Sequence, residues 1–379
     1  MTSKISSRAL GPTVVIGGCG FVGFHIVNAL LQDPNCESVS VISRNPNVNL
    51  YEGVSYYTDD ICNLNEIREL LAVIEPRVIF HAAAPRGDDP AVQPGDHHKT
   101  SVDGTRNVLT CATESPTVKA LVYTTSCAVS KGHQHFNIDE TAPLWEQDSR
   151  TTPYHKAKTL ADTLTREANS PLDQQGRGLL TATLRLPWVY GERDNQAIPG
   201  MLKTAEHGQT KIQLGDNTNL VEPTYVGNVA TAHLLAAKKL LESENGPLNP
   251  KVDGEAFHIT DGDPQPFWTF SRLIWPTAGD KTTPDQVTIV PAWLALAMAH
   301  CIDWAYFLCT FGRVRPPLTM SPLYIQYTIY NATYDISKAR VRLGYTPVVD
   351  KEKNLKSSVA WEFENHAERY RNLLRNGPV

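Results

Sequence analysis

Tyr154 and Lys158 are the residues whose types and spacing point most directly to chemistry. They lie four positions apart and directly follow Pro153; residues at this spacing share one face of an α-helix, and proline is favoured in the first helical turn. A free phenol has a pKa of about 10, so a nearby cation is needed to favour the phenolate. The pair predicts a tyrosine that exchanges a proton with a substrate oxygen, with Lys158 as the cation.

A hydroxyl group upstream completes the predicted catalytic set. The run from Val122 to Ser126 has the composition of a strand and ends in hydroxyl side chains. Ser126 is the candidate that hydrogen-bonds the reacting oxygen, and Thr125 is the second choice. Cys127, which follows, is interpreted as a small buried core residue rather than as a reactive thiol.

The segment Gly17 to Gly23 has glycine at its first, fourth and seventh positions, between a strand-like run and a helical pattern. A pyrophosphate must approach backbone N–H groups at a helix N-terminus, where a Cβ atom would obstruct it. The segment therefore predicts a dinucleotide-binding loop. The predicted cofactor contacts within it are Gly17, Gly20, Phe21, Val22 and Gly23.

The end of the second strand bears on which dinucleotide binds. Enzymes that prefer NAD usually carry Asp or Glu about 20 residues beyond the loop, where it accepts hydrogen bonds from the ribose 2′-hydroxyl. Ser43 and Arg44 stand at this place. Without a carboxylate there is no repulsion of a 2′-phosphate, and Arg44 can pair with one. NADP is therefore predicted, and NAD stays open. Further predicted cofactor contacts are Asp60, Ile61, Ala82 and Ala83.

The order of predicted elements indicates the fold. Strand-like and helix-like segments alternate up to about residue 190, which is typical of an α/β protein with a doubly wound parallel sheet. Residues 11–190 are predicted to form a dinucleotide-binding Rossmann domain, with 224–241 packing back on it. Residues 191–223 and 242–379 are predicted to form a smaller C-terminal substrate-binding portion, with one more strand from Phe257 to Thr260.

Charge and cysteine usage exclude several classes of function. The net charge is −5 and no block of Lys and Arg stands out, so nucleic acid is not an expected partner. The seven cysteines are scattered without a CxxC pair, and His97-His98 and His133-x-His135 lack companion ligands. Neither a disulfide framework nor a metal site is predicted. The N-terminal residues lack a signal-like apolar run, so a cytoplasmic location is expected.

The segment 291–311 is long and largely apolar, which is compatible with a membrane span. His300 and Asp303 weaken that interpretation, because a charge at mid-span costs roughly 2.5 to 3.5 kcal/mol on insertion scales. A helix that lines a lipophilic pocket or core is favoured. Peripheral contact with a membrane, such as that of the endoplasmic reticulum, is the next alternative.

With these motifs in place, the chain resembles the 3β-hydroxysteroid dehydrogenase/isomerase and sterol-4α-carboxylate 3-dehydrogenase family of extended short-chain dehydrogenases, from about residue 13 to 350. The further matching segments are Val102-Asp103-Gly104-Thr105, Tyr225 to Ala230, Phe257 to Asp261 and Pro266-Phe267-Trp268. The resemblance implies that Ser126, Tyr154 and Lys158 are catalytic and that Pro187 lies beside the nicotinamide. The departures from the family pattern are Ser43 for Asp, Ala157 for Ser, Gly227 for Asp and Glu192-Arg193 for Pro-Gly.

The leading hypothesis is an NADP(H)-dependent enzyme that interconverts a secondary alcohol and a ketone on a bulky lipophilic ring substrate, such as a sterol, terpenoid or polyketide. Residues 291–311 with Phe267 and Trp268 are expected to supply apolar walls. The alternatives are an NAD-dependent decarboxylating sterol-4-carboxylate 3-dehydrogenase, a nucleotide-sugar epimerase or reductase, and a non-redox isomerase or NADP sensor. Basic residues for a sugar nucleotide would be Lys211, Arg313 and Arg315. A homodimer stays open.

Overall fold

The computed structural model describes residues 10–375 except 90, 174, 244, 245, 247, 312, 315 and 317–319. Its strands are β1 (Gly11–Ile16), β2 (Cys36–Ser43), β3 (Ser55–Thr58), β4 (Val78–His81), β5 (Ala120–Ser126), β6 (His135–Ile138), β7 (Leu180–Leu186), β8 (Val189–Tyr190), β9 (Ile212–Leu214), β10 (Leu220–Val221), β11 (Thr224–Tyr225), β12 (Glu255–His258), β13 (Gln265–Pro266), β14 (Thr288–Val290) and β15 (Ala332–Tyr334).

The α-helices are α1 (Phe21–Leu31), α2 (Leu64–Ile74), α3 (Pro94–His98), α4 (Thr105–Glu114), α5 (Pro153–Glu167), α6 (Ala197–Glu206), α7 (Val226–Glu242), α8 (Phe267–Thr277), α9 (Ala292–Thr310), α10 (Pro322–Ile329), α11 (Ser337–Leu343), α12 (Lys351–His366) and α13 (Arg371–Arg375). A π-helical turn, Lys99–Gly104, joins α3 to α4. The helical pattern that follows the glycine segment in the sequence forms α1.

A seven-stranded parallel sheet lies at the centre, in the order β12-β7-β5-β4-β1-β2-β3. The central strands are buried on both faces; all four residues of β4 and all seven of β7 are buried. Strands covered by helices on both sides favour such continuous apolar runs. The predicted doubly wound α/β fold is confirmed, and its parallel strands bring their carboxyl ends to one edge.

Two strands cross the predicted domain boundary. β12 pairs with β7 as the last strand of the central sheet, so its assignment to the substrate-binding portion is wrong. Helix α7 causes this, because it packs against the sheet core and α1 and returns the chain to the β7 edge. Conversely, β6 leaves the Rossmann region and pairs with β15 in a second sheet. Long-range pairing of this kind has no local signal in sequence.

The second sheet has four strands in the order β13-β10-β15-β6. A separate apolar core accompanies it, built from α6, α8 and α12 around Phe270, Ile274 and Trp275. Two-stranded parallel pairs, β8 with β11 and β9 with β14, connect this region to the rest.

Helix α9 is where the structure differs most from expectation. Of its residues, all of which are described, only Ala295 and Ala299 are buried, and they pack on Ile325 of α10. Trp293 is 70% exposed and Trp304 is 63% exposed. The prediction of a core helix is therefore wrong: apolar residues surround the helix axis, and one narrow stripe of alanines suffices for packing. That α9 lines a lipophilic pocket stays a prediction. Among the described residues, α9 is the helix long and apolar enough to cross a membrane.

Candidate active site

The glycine loop has the shape that a pyrophosphate requires. Gly17 has a φ of +84°, and a Cβ at this position would lie 2.8 Å from the backbone nitrogen of Ala83. A Cβ on Gly23 would lie 2.2 Å from the Gly17 carbonyl oxygen. Among the described residues, no side chain caps the N-terminus of α1. Its first N–H groups, at Phe21 and Val22, are thus available to an anion, and the loop fits a dinucleotide.

The residues predicted for the adenosine end also converge. Ser43, at the end of β2, lies beside Cys19 of the glycine loop: burial raises the pKa of the Cys19 thiol, and the Ser43 side chain opposes the rise. Burial opposes ionisation of Asp60, but hydrogen bonds from Cys62 and the charge of the exposed Arg44 outweigh it and lower the Asp60 pKa. Arg44 and Asp60 therefore lie on the same side of the predicted adenosine site.

The segment Val102-Asp103-Gly104-Thr105, which matches the family pattern, packs closely against Ile61. Ile61 is buried, and a Cβ on Gly104 would lie 2.6 Å from the Ile61 Cδ1 atom. Thr105 bonds the buried His81 ring at 3.0 Å, and burial lowers the pKa of His81 to about 3. A neutral His81 therefore supports the end of β4, from which Ala82 and Ala83 continue beside the glycine loop.

Ser126 and Tyr154 are brought together. Ser126 ends β5, and its hydroxyl also accepts a hydrogen bond from Ala128 N at 3.1 Å. Helix α5 begins with Thr152 as its cap, which accepts from His155 N at 3.2 Å, and with Pro153 in its first turn. Burial raises the pKa of Tyr154, and the nearby Ser126 side chain opposes the rise. A phenol paired with a second hydroxyl can pass a proton to or from an oxygen held between them.

Lys158 reaches the same place from one turn further along α5. Its Nζ donates to the Thr124 carbonyl at 3.1 Å and to the Tyr123 hydroxyl at 3.4 Å. The side chain is only 6% exposed, and burial lowers its pKa to about 8, with Asp162 acting in the opposite direction. A cation held under these conditions stabilises negative charge strongly, because little water screens it.

Asp162 supports Lys158 from below. It is fully buried and accepts from the Arg185 guanidinium at 2.8 Å. Burial opposes its ionisation, but Arg185 and the hydrogen bonds around the carboxylate keep its pKa low. Arg185 therefore has a structural role: it holds the carboxylate whose charge acts on Lys158.

Several residues around Tyr154 were missed in the sequence. The loop after β4 lies on its ring, since a Cβ on Gly87 would be 2.9 Å from the Tyr154 Cγ atom. The buried His97 meets the same ring edge-on at 5.7 Å. Tyr327, on α10, is 54% exposed as a whole, but burial of its hydroxyl and then the charge of Tyr154 raise the pKa of that hydroxyl to about 12. The one available signal was that loops at the carboxyl ends of parallel strands build ligand sites.

Pro187 follows β7 at the same edge of the sheet, as the family resemblance implies. Next to it, the Trp188 ring stacks on Phe267 with centroids 5.7 Å apart. Phe267 and Trp268 both belong to the second core, and Trp268 donates to the Leu214 carbonyl at 2.7 Å. The expectation that these two side chains form pocket walls is therefore wrong: both are core residues.

The two alternative nucleophile and hydroxyl candidates lie away from this centre. Thr125 alternates with Ser126 along β5, so its buried hydroxyl points to the opposite face of the sheet. Cys127 is buried and donates to the Arg185 carbonyl at 3.3 Å. Burial raises the pKa of its thiol well above the usual value, which agrees with its interpretation as a core residue.

Comparison with known proteins decides the family. The sequence profile of the 3-beta hydroxysteroid dehydrogenase/isomerase family matches residues 14–288. The chain belongs to this family. Members of it are extended short-chain dehydrogenases, and this member is an NAD(P)-dependent oxidoreductase that acts on a CH–OH group.

Curated relatives extend over nearly the whole chain. The sterol-4-alpha-carboxylate 3-dehydrogenase, decarboxylating, of Schizosaccharomyces pombe is 34% identical over 353 residues, which are 92% of this chain and 97% of the relative. Its counterpart in Saccharomyces cerevisiae is 31% identical over 95% of this chain and 98% of the relative. The mouse enzyme of the same name is 28% identical over 91% and 89%.

Solved structures confirm the fold. UDP-glucose 4-epimerase of Thermotoga maritima superposes with a TM-score of 0.66 at 20% identity, covering 93% of this chain and 99% of that one. The dTDP-glucose 4,6-dehydratase of Bacillus anthracis, solved with NAD, gives a TM-score of 0.64 at 20% identity, with coverages of 96% and 100%. At these identities the likeness concerns the fold alone.

Proposed function

We propose that this family member oxidises the 3-hydroxyl group of a sterol that carries a carboxylate on the neighbouring carbon, with loss of CO₂. The observation that carries the proposal is the match of nearly the full chain to relatives named for this decarboxylating reaction, together with the Ser126–Tyr154–Lys158 centre. The simple alcohol–ketone interconversion of the leading hypothesis is thus replaced by the alternative that adds decarboxylation.

In this reaction Tyr154 accepts the hydroxyl proton of the substrate, while Ser126 holds the same oxygen and Lys158 stabilises the phenolate. The bound nicotinamide cofactor supplies the acceptor for the hydride that leaves the carbinol carbon. The product is a β-keto acid. Its carbon–carbon bond to the carboxylate then breaks, CO₂ leaves, and the electron pair moves to the ketone oxygen, where the hydroxyls of Ser126 and Tyr154 can donate hydrogen bonds to the resulting enolate.

A stoichiometric assay tests this proposal. Purified protein is incubated with a 3β-hydroxy-4α-carboxysterol and either NAD⁺ or NADP⁺, and reduced cofactor and CO₂ are both measured. Equal amounts of the two are expected, and the 3-deoxy acid should give neither. Cofactor reduction without CO₂ would restore the simple dehydrogenase. Reaction with a UDP-sugar instead would favour the epimerase, of whose candidate basic residues Arg315 lies outside the described part of the chain.

For the cofactor, we infer that a nicotinamide dinucleotide occupies the groove from the glycine loop to Pro187, with Ser43 and Arg44 permitting a 2′-phosphate. The lack of a carboxylate at the end of β2 supports NADP over NAD. The variant Ser43→Asp/Arg44→Leu should shift the ratio of kcat/KM values toward NAD by about tenfold or more. An unchanged ratio would mean that this site does not set the preference.

We further propose that α9 lies on a membrane surface and admits the lipophilic substrate there. Its exposed apolar residues include Met298 and Phe307, 53% and 55% exposed, and soluble proteins rarely leave a continuous patch of this kind uncovered. Helix α10 packs on α9 and carries Tyr327 near Tyr154. A substrate that leaves the lipid beside α9 is thus close to the catalytic tyrosine.

Vesicle flotation tests the docking of α9. The protein should float with phosphatidylcholine vesicles, and Trp304→Gln/Phe307→Gln should remain in the soluble fraction. Val341→Gln, which replaces an apolar side chain that is 73% exposed on another helix, is the matched control and should still float. If the double variant instead converts a vesicle-independent dimer into a monomer, α9 binds a second copy of the chain.

A further inference from the structure

The dipeptide Glu192-Arg193 stands where the family usually has Pro-Gly, and the structure gives it an unusual backbone. Arg193 has a φ of +68°, in the left-handed region where glycine is at ease and most other residues are strained. Such a residue persists where the contacts of its side chain outweigh the cost. The contacts of Arg193 are therefore informative.

The Arg193 guanidinium contacts three separate parts of the chain. It donates to the Asn49 Oδ1 atom at 2.6 Å. Its central carbon lies 4.1 Å from the ring centroid of Phe24 in α1 and 5.2 Å from that of Trp361 in α12. A cation over aromatic faces at these distances is attracted by both rings. We call this set of contacts the Arg193 bridge.

The bridge acts on the segment that follows β2, residues 45–51. Asn49, which accepts from Arg193, donates through its own amide to the Cys19 carbonyl at 2.9 Å, inside the glycine loop. Tyr51, at the end of the segment, stacks on Phe24 with centroids 4.5 Å apart and an angle of 18°. The segment is thus fixed on the loop directly after Arg44, where the adenosine ribose is expected.

Glu192 fixes the other side of the dipeptide. Its carboxylate accepts from the Tyr225 hydroxyl at 3.1 Å and from Ser357 of α12. Its backbone carbonyl is hydrogen-bonded to the His25 ring at 2.8 Å. Arg193 therefore extends from an anchored backbone. Its contacts with Asn49 and Phe24 lie at the glycine-loop end of α1.

We propose that Arg193 is a positioning residue for the adenosine half of the dinucleotide. It holds residues 45–51 against the glycine loop, so the cofactor meets a formed site and does not have to order that segment on binding. Affinity gained in this way comes from preorganisation rather than from contact with the ligand. The inference rests on the dinucleotide-binding part of the proposed function and is independent of the sterol substrate.

Calorimetric titration of the cofactor-free protein with ADP-ribose and with 2′-phospho-ADP-ribose tests the proposal. Arg193→Gly is the main variant, because glycine suits the backbone and removes only the side chain; Arg193→Asn, also tolerant of this conformation, is the second. Each should weaken binding of the preferred fragment about tenfold, the order expected for losing a charged hydrogen bond and a cation–π contact. Kd values equal to wild type would overturn the proposal.

Three further readouts separate positioning from a general loss of structure. Asn49→Ala should weaken binding similarly, and the double variant with Arg193→Gly should be no weaker than Arg193→Gly alone, since both act through one bridge. Amides of residues 45–51 should exchange faster in Arg193→Gly, while kcat at saturating cofactor stays at the wild-type value. Lys356→Ala is the charge control, since Lys356 is an exposed cation of α12 paired with Glu352. The bridge would be contradicted if Lys356→Ala weakened fragment binding as much as Arg193→Gly, or if the effects of Arg193→Gly and Asn49→Ala on binding were additive. Unchanged amide exchange of residues 45–51 in Arg193→Gly would contradict it as well.

Discussion

The proton-transfer centre and helix α9 reverse the ordinary distribution of side chains. At the centre, a lysine is 6% exposed, whereas on α9 a tryptophan is 70% exposed. Buried cations and exposed large apolar side chains are both costly, and folded proteins keep few of them without a use. Helix α10 packs on α9 and carries Tyr327, whose pKa is raised by burial and then by the charge of Tyr154. The difference teaches that one region excludes water, whereas we propose that the other meets a nonaqueous partner.

The largest expected effect is that of removing the Tyr154 hydroxyl from the Ser126–Tyr154–Lys158 centre. Tyr154→Phe should reduce kcat by about 10²- to 10⁴-fold, because it removes the proton acceptor. ADP-ribose affinity and the unfolding free energy should stay close to wild type, as the ring still fills the space under Gly87. Steady-state kinetics with calorimetry measures both. Substantial turnover by this variant would assign the proton transfer to another group.

The depressed pKa of Lys158 gives a stability signature. Its pKa falls from 10.5 to about 8 on folding, so between these values the unfolded state binds more protons and the contribution of Lys158 to stability rises with pH. The unfolding free energy of wild type, minus that of Lys158→Met, should increase by about 3 kcal/mol from pH 7.5 to pH 10.5. Urea titrations at a series of pH values measure it. If the difference in unfolding free energy does not change with pH, water reaches the Lys158 ammonium group.

A substitution in the glycine loop is expected to have a smaller effect on stability or cofactor affinity. In Gly23→Ala the new methyl group meets the Gly17 carbonyl, and the forced opening should cost about 1 to 3 kcal/mol of stability or cofactor affinity. Gly200→Ala adds a methyl group with no atom within 4 Å and is the matched control. Thermal shift with and without ADP-ribose compares them. Equal thermal shifts of the two variants would show that the loop accommodates the methyl group without loss of stability or cofactor affinity.

The smallest effect is expected on α9. Trp304→Gln should change the unfolding free energy by less than about 0.5 kcal/mol, because the side chain is solvent-exposed and contributes little to the core. Chemical denaturation without lipid measures it. A loss well above 1 kcal/mol would mean that α9 is part of the folded core and that the contrast between the two regions is not real.

Sequence and structure agree where local chemistry dictates the conformation. Steric contacts within a few residues require Gly20 and Gly23, and a positive φ favours glycine at position 17. The spacing of a strand and a helix places Ser126, Tyr154 and Lys158. Disagreement arises where partners are distant in the chain. The pairing of β12 with β7, the exposure of α9 and the burial of Trp268 each depend on tertiary packing, which a periodic pattern cannot specify. Gly87 and His97 belong to loops whose position only the assembled sheet determines.

One measurement tests the central claim, that the Tyr154 centre oxidises a secondary alcohol before CO₂ is lost. A 3β-hydroxy-4α-carboxysterol with deuterium at carbon 3 is converted by wild type, and the reduced dinucleotide is examined by mass spectrometry. Each CO₂ released should be matched by one deuterium in the reduced cofactor, and Tyr154→Phe should suppress both together. Release of CO₂ with no deuterium in the cofactor would contradict the account.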